Sequence, residues 1–314
     1  MNKTQLKKMH KAIVITGPTA SGKTELSLQL AKELDTEIIS ADSRQVYKMM
    51  DICTAKPSKN ELSSVKHHLV DVLNPDEDYS AGKFARDAKE SMDRIVAQGK
   101  IPIICGGTLF YIKALFEGLF QEKSEGTNHD IRSELNNKFE QEGIEPLLEQ
   151  LKEVDREMYD SIEKSNKQRV IRALEYFLTN GEKLSEAQKR QDEQLGYKPH
   201  YFAIDFPREE LYQRINQRCE IMWNSGLIDE YKSIINAGYS DDLNSMNTVG
   251  YKETSKYLDG EWDKDKAIEE FKKNTRRFAK RQLTWLRGME NLHWLSHNMN
   301  TETKIKEIKK CLNI

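Results

Sequence analysis

Ala12-Ile-Val-Ile-Thr-Gly-Pro-Thr-Ala-Ser-Gly-Lys-Thr24 decides how the rest of the chain is read. Its opening run, Ile13, Val14, Ile15 and Thr16, is short and β-branched, as in a buried strand. The run stops at Gly17, a helical pattern begins after Gly22, and G-x-x-x-x-G-K-T lies between. Gly17 and Gly22 allow backbone conformations that residues with a Cβ resist. Residues Gly17, Pro18, Thr19, Ala20, Ser21, Gly22, Lys23 and Thr24 therefore predict a loop whose N–H groups cradle phosphate at a helix N-terminus. Lys23 adds a mobile positive charge, and the Thr24 hydroxyl is a ligand for Mg²⁺. The signature specifies a polyphosphate without saying which one.

The 314 residues suit one large domain or two smaller ones. With 49 basic and 51 acidic side chains the net charge is −2, which excludes a globally basic nucleic-acid binder and leaves room for a local basic patch. Cys53, Cys105, Cys219 and Cys311 are far apart and form no C-x-x-C pair, so they predict free thiols and no structural zinc. Residues 1–11 are polar, and the apolar run after them is too short for a membrane span. The expectation is a cytoplasmic protein with no membrane partner, working as a monomer.

Apolar spacing over Glu25–Leu34 predicts the helix after the loop, and Glu37–Ser40 predicts a second strand. That strand delivers Asp42-Ser-Arg-Gln-Val-Tyr47 to the sheet edge where ligands of parallel sheets bind. Asp42 reads equally as a crevice carboxylate or as the cap of a following turn. His67–Val72 predicts a third strand; adjacent strand residues face opposite sides, so His67 and His68 do not share a metal. Tyr79-Ser80 opens a helix to about Gln98, with Ser80 as its cap. Ile101–Cys105 predicts another buried strand, bringing Gly106-Gly107-Thr108 to the same edge. There Thr108 serves either a ligand or the next helix as N-cap.

Residues 125–198 are charged, helix-favouring and poor in strand-like runs, and predict an all-helical insertion between core segments 11–124 and 199–314. The spacing over Lys167–Thr179 predicts a buried stripe of Val170, Leu174, Phe177 and Leu178. Arg169, Arg172 and Tyr176 then fall on another face, either solvated or gripping phosphate and stacking on a base. Strand character returns at Tyr201–Phe206, followed by a helix over 208–224 with Arg214 and Arg218 one turn apart. Residues 226–258 read as helical with a break around Gly238–Ser245. Residues 263–287 predict one long helix, with Phe271, Phe278 and Trp285 as its packing seam. Lys273, Arg277 and Arg281 form a basic stripe there, the local footprint of a nucleic acid against a near-neutral chain. A last strand over Asn291–Leu295 and an amphipathic tail from Thr301 complete the pattern.

The residues by themselves lead to a phosphate-site transferase acting near nucleic acid. A small-molecule kinase using ATP and a nucleotide-gated RNA-binding module are the competing readings. No acidic strand end follows an apolar run in the manner of a motor NTPase, and Asp241-Asp242 is not part of a D-D-x-x-D prenyl-synthase motif.

The set of motifs goes further. Gly17–Thr24, Asp42–Tyr47, Thr54-Ala-Lys-Pro57, His67-His68-Leu69, Gly106-Gly-Thr108, Gln168-Arg-Val-Ile-Arg-Ala-Leu-Glu175, Val249-Gly-Tyr-Lys-Glu253 and Lys280-Arg-Gln-Leu-Thr-Trp-Leu-Arg287 together resemble the tRNA dimethylallyltransferases, in order, over about residues 11–290. The resemblance implies an α/β P-loop kinase-like parallel sheet flanked by helices, with a helical insertion that clasps the anticodon stem-loop. It implies transfer of a dimethylallyl group from dimethylallyl diphosphate to N6 of adenosine 37 in tRNAs reading codons that start with U, with Mg²⁺. By that similarity Asp42 takes the amine proton, and Thr108 bonds near the same amine. Lys23 and Arg218, with Arg214 as its alternative, stabilise the leaving diphosphate. Ser43, Arg44, Gln45 and the run Gln168, Arg169, Val170, Ile171, Arg172 are implied to hold the tRNA loop. Arg132, Gly250, Tyr251, Lys252, Lys280, Arg281, Gln282, Trp285 and Arg287 are implied as further tRNA contacts.

Three positions depart from the family pattern. Leu109 follows Thr108 where glycine is common, Lys167 precedes Gln168 where an acid is common, and Cys53 replaces a common glycine.

Overall fold

The computed structural model describes residues 9–118, 128–189 and 195–314. The chain forms two compact units, Met1–Phe116 with Gly196–Ile314, and Glu117–Leu195. The expected core–insertion boundary at residues 124–125 lies outside the described residues.

The strands are β1 His10–Thr16, β2 Ile38–Ser40, β3 His67–His68, β4 Ile103–Cys105, β5 Tyr197–Asp205 and β6 Leu292–Ser296. They make one parallel sheet in the order β3-β2-β4-β1-β5-β6. In chain order the helices are α1 Lys23–Glu33, α2 Lys59–Ser64, α3 Ala81–Ala97 and α4 Leu109–Glu117. Next come α5 His129–Glu142, α6 Glu145–Val154, α7 Arg156–Ser161, α8 Lys167–Asn180 and α9 Leu184–Gln188. Then follow α10 Arg208–Met222, α11 Ile228–Asn236, α12 Tyr251–Leu258, α13 Lys264–Arg287 and α14 Thr301–Leu312.

Ile13, Val14, Ile15, Ile38, Ile39, Ile103, Ile104 and Phe202 are all buried, the continuous apolar reading of a sheet covered on both faces. Leu26 and Leu30 of α1 and Ile305, Ile308 and Leu312 of α14 join its strands in one core. Phe84, Ala88, Met92 and Ile95 recur at helical spacing and form the buried stripe of α3. Register places the functional edge. Ile103 of β4 is level with Ile13 of β1 and Ile38 of β2, and Cys105 is level with Ile15 and Ser40. Three neighbouring strands therefore end together, and the turns after them emerge side by side.

Three expectations need correction. The third strand stops at His68, because Leu69 and Asp71 take left-handed backbone conformations that break the ladder. Residues 71–73 instead bond back to Gln45 and Val46. The packing seam of α13 is Ala267, Phe271, Ala279, Gln282 and Leu286, whereas Phe278 is 39% and Trp285 43% exposed. At 3.6 residues per turn Trp285 returns to the side of the helix that holds buried Ala267, so the covered face itself turns along α13, from Ala267 and Phe271 to Ala279, Gln282 and Leu286, and leaves Phe278 and Trp285 outside it. On α8 the buried residues run Val170, Ile171, Ala173, Leu174, Glu175 and Tyr176; Leu178 is exposed and Tyr176 is not.

The second unit's described regular elements are helices, joined by short turns. Leu147 and Leu151 of α6 pack with Val170 and Leu174 of α8, Leu135 of α5 and Ala187 of α9. Gly181, in the left-handed conformation, ends α8 as a C-cap.

Candidate active site

The turn after β1 is the phosphate loop. Gly17 has φ 149° and Gly22 φ 85°, and a Cβ on Gly17 would sit 2.9 Å from Ser21 Oγ. Ala20, at φ 64°, holds a left-handed conformation that costs a non-glycine residue about 1 kcal/mol or more. The Ser21 hydroxyl is buried with no hydrogen-bond partner among the described residues. An orphaned buried donor inside such a loop suits an anion's oxygen. Among the described residues the one hydrogen bond of Lys23 Nζ is a long contact, 3.5 Å, to the Pro18 carbonyl. Burial lowers its pKa from the ordinary lysine value; Arg218 adds to this, while Cys105 and Asp42 oppose it. A bound anion would relieve that cost.

Helix α10 supplies two arginines to the loop. Arg218 Nη1 donates to Thr19 Oγ1 at 3.1 Å, and Arg214 Nε donates to the Ala20 carbonyl at 2.9 Å. Burial, with Arg214 adding repulsion, lowers the Arg218 pKa, as expected of a cation awaiting a counter-charge. A cleft of about 460 Å³ opens between this helix, the loop and Ala55–Pro57, lined by Lys23, Thr24, Arg214, Arg218 and Ile221 among others.

The turns after β2 and β4 lie beside the loop. A Cβ on Gly106 would come within 2.0 Å of the Ala41 carbonyl, so only glycine permits this approach. The Ala41 amide donates to the Cys105 carbonyl and the Thr108 amide to the Ala41 carbonyl. Asp42 Oδ1 accepts the amides of Arg44 at 2.9 Å and Gln45 at 3.4 Å, so Asp42 does cap its own turn. Its Oδ2 makes no hydrogen bond among the described residues. Thr108 Oγ1 accepts the Ser43 amide at 3.0 Å.

Other expected contacts are engaged within the protein. Gln45 Nε2 donates to the carbonyls of Thr54 at 3.3 Å and Ala55 at 3.2 Å, and Ser40 Oγ donates to Gln45 Oε1 at 3.1 Å. Arg44 donates to the carbonyls of Asn244 and Asn247. Gly250 and Tyr251 are buried, whereas Lys252 beside them is exposed. Lys280, Arg281, Trp285 and Arg287 lie on the exposed face of α13, with the Arg281 guanidinium 5.8 Å from the Phe278 ring. Gln282 is buried, with both ends of its amide bonded inside the protein.

In the helical unit, Gln168 and Arg169 are exposed, whereas Val170 and Ile171 belong to the core and cannot present side chains to RNA. Buried Glu175 lies 3.7 Å from Arg132 and 3.4 Å from Arg172 and also accepts the Asn128 amide at 3.1 Å. One carboxylate thus holds two arginines whose side chains stay part-exposed.

Sequence reading missed Glu230. Its carboxylate accepts the amides of Asp51 at 2.8 Å, Ile52 at 2.6 Å and Cys53 at 3.0 Å, and the Tyr251 hydroxyl at 2.7 Å. It therefore shapes the loop that holds Gln45. Lys56, whose side chain is 2% exposed, staples that loop through Asp51, Asp71 and the Tyr47 carbonyl. A single glutamate on an amphipathic helix carries no motif signal; the run Thr54–Pro57 carried one for Lys56. Cys53, where glycine is common, fills space against Gly250 and donates its thiol to the Val249 carbonyl. Cys53 is buried, and burial raises its thiol pKa, which keeps it protonated.

The parallel sheet and its loop define a P-loop α/β protein with three converging strand-end turns and a second unit whose described elements are helices. The family model described as IPP transferase matches residues 45–289. A tRNA dimethylallyltransferase of Alkaliphilus oremlandii is 39% identical over 300 residues, covering 96% of this chain and 95% of that protein. Among solved structures, a tRNA isopentenylpyrophosphate transferase from Staphylococcus epidermidis aligns at TM-score 0.70 and 38% identity, covering 97% of this chain and 99% of its own. A eukaryotic dimethylallyltransferase acting on tRNA aligns at TM-score 0.82 and 26% identity, covering 97% and 80%. The chain belongs to the IPP transferase family.

Proposed function

We propose that this protein transfers a dimethylallyl group from dimethylallyl diphosphate to N6 of adenosine 37 in tRNAs that read codons starting with U. The observation that carries this reading is the side-by-side emergence of the Lys23 loop, the Asp42 turn and the Thr108 turn from three level strand ends. An anion site and a carboxylate with one uncommitted oxygen are what the reaction needs.

In the step, adenine N6 attacks C1 of the dimethylallyl group. The C1–O bond breaks, diphosphate leaves with the electron pair, and an N6 proton passes to Asp42. Lys23, Arg218 and the loop amides meet the charge growing on the leaving group. The amine is a weak nucleophile because its lone pair is delocalised into the ring, so a proton acceptor in the transition state contributes about 10²–10⁴-fold. Thr108 orients the amine. The adenine must leave the anticodon-loop stack to reach the turns, as in other enzymes that act on a base.

Thr24 would hold Mg²⁺ together with diphosphate oxygens; bound there, the ion would neutralise leaving-group charge. Thr24 lines the cleft beside Lys23, and the described residues contain no cluster of three or more His, Cys, Asp or Glu suited to a metal. The basic face of α13 and the Arg132–Glu175–Arg172 group of the helical unit are the proposed tRNA contacts. Among the described residues no helix is long and apolar enough to cross a membrane. A cytoplasmic monomer is the proposed working form.

The test is transfer of label from dimethylallyl diphosphate to unmodified tRNA. Label left in the donor while ATP is consumed would favour a kinase instead.

A further inference from the structure

Helix α13 turns one polar side chain into the protein. Gln282 is 5% exposed and shares the buried face with Ala279 and Leu286. Its Oε1 accepts the Thr19 amide at 2.9 Å, and its Nε2 donates to the Gly107 carbonyl at 2.9 Å. One planar amide therefore joins the phosphate loop after β1 to the turn that carries Thr108 after β4. The bonds fix the amide's orientation, since a flipped group would set donor against donor and oxygen against oxygen.

The neighbouring residues are shaped to this link. A Cβ on Gly107 would meet Gln282 Nε2 at 2.4 Å, so the second glycine of the turn leaves room for the amide. Thr19 is held at both ends, its amide by Gln282 and its hydroxyl by Arg218. Thr108, next to Gly107, accepts the amide of Ser43, which adjoins Asp42. Lys280, Arg281 and Trp285 around Gln282 in the helix are exposed, whereas Gln282 would have to break both bonds to reach RNA.

We propose that Gln282 is a positioning residue, setting the spacing between the diphosphate cradle and the Thr108 turn. Under the proposed function, on which this inference rests, that spacing is the distance from the leaving group to the attacking amine. A misplacement of about 1 Å in such a geometry costs on the order of 100-fold in rate.

Gln282→Met and Gln282→Glu are compared with wild type in single-turnover transfer from dimethylallyl diphosphate to tRNA, alongside tRNA binding and thermal unfolding. Gln282→Met lacks both bonds and is expected to be slower by about 10- to 100-fold at saturating substrates. Its tRNA dissociation constant should stay within about twofold, because no phosphate contact is removed. Gln282→Glu adds a signature. Its protonated carboxyl both accepts and donates, like the amide, whereas its carboxylate has no hydrogen for Gly107. Its rate relative to wild type at the same pH should fall as pH rises from about 5 to 8, across the range of a buried carboxyl.

Wild-type rates for both variants would overturn the inference. So would weakened tRNA binding at an unchanged single-turnover rate, which would return Gln282 to the RNA surface. A pH-independent ratio for Gln282→Glu, with only a lowered melting temperature, would leave a plain structural role and also overturn it. If Gln282→Met does not fold, the pH dependence of Gln282→Glu decides. Failure of the wild type to transfer at all removes the proposed function and this inference with it, a result separable from failure of the variants alone.

Discussion

The Thr108 hydroxyl accepts the Ser43 amide at 3.0 Å, joining the turn after β4 to the turn that carries Asp42. Asp42 itself directs one oxygen into its turn and leaves the other unbonded among the described residues. A carboxylate oriented in this way is fixed without being used up.

Asp42→Asn follows from that geometry. The amide oxygen still caps Arg44 and Gln45, so fold and tRNA affinity should persist, while loss of the proton acceptor should slow transfer by about 10²–10⁴-fold. Single-turnover kinetics beside a tRNA-binding curve measure both. Unchanged turnover would remove Asp42 from the role of base.

Lys23→Ala and Arg218→Ala should each slow transfer by about 10²–10³-fold, through charge stabilisation on the diphosphate. Lys23 has a second signature. Its pKa is lowered by burial, and only the protonated form binds an anion well, so donor affinity in the wild type should weaken as pH rises through that lowered pKa. Lys23→Arg should shift this weakening to higher pH. Wild-type donor kinetics in Lys23→Ala would reject the cradle.

Glu230→Ala removes one carboxylate from three amides and a tyrosine hydroxyl. Leaving those donors unpaired should destabilise the protein by about 2–4 kcal/mol, read by urea unfolding. Turnover should fall as well, because the loop so held carries the carbonyls that bind Gln45. A stability change within about 0.5 kcal/mol would show that water replaces the carboxylate freely.

Replacing Arg169 and Arg172 by alanine should weaken tRNA binding and reduce the magnitude of its log–log salt slope by about 2, since each arginine would no longer neutralise a phosphate. An unchanged slope would make the pair an ordinary solvated face.

The sheet edge was legible because its signals are local. β-branched runs ended by Gly17, Ala41 and Gly106 predict buried strands and the turns after them, and parallel pairing brings those turns to one edge. Arg214 and Arg218 were legible as candidates because their helix starts at the end of β5. Side-chain direction was not. Phe278 and Trp285 are apolar and regularly spaced, yet exposed, while Gln282 is polar and buried among them. Hydrophobic periodicity assigns such a glutamine to the surface, because its partners, the Thr19 amide and Gly107 carbonyl, are more than 170 residues away and on the backbone. Glu230 was hidden for the same reason: a carboxylate that accepts backbone amides leaves no pattern in the residues it binds. Tyr176 was placed on the arginine face of α8, but its ring is in the core.

The most direct measurement is mass spectrometry of nucleosides from unmodified tRNA incubated with the protein, Mg²⁺ and dimethylallyl diphosphate, with an ATP-only control. The predicted result is one dimethylallyl group gained on adenosine, only with the isoprenoid donor, and mapped to the base beside the anticodon. Unmodified adenosine, with ATP consumed in the control, would contradict it.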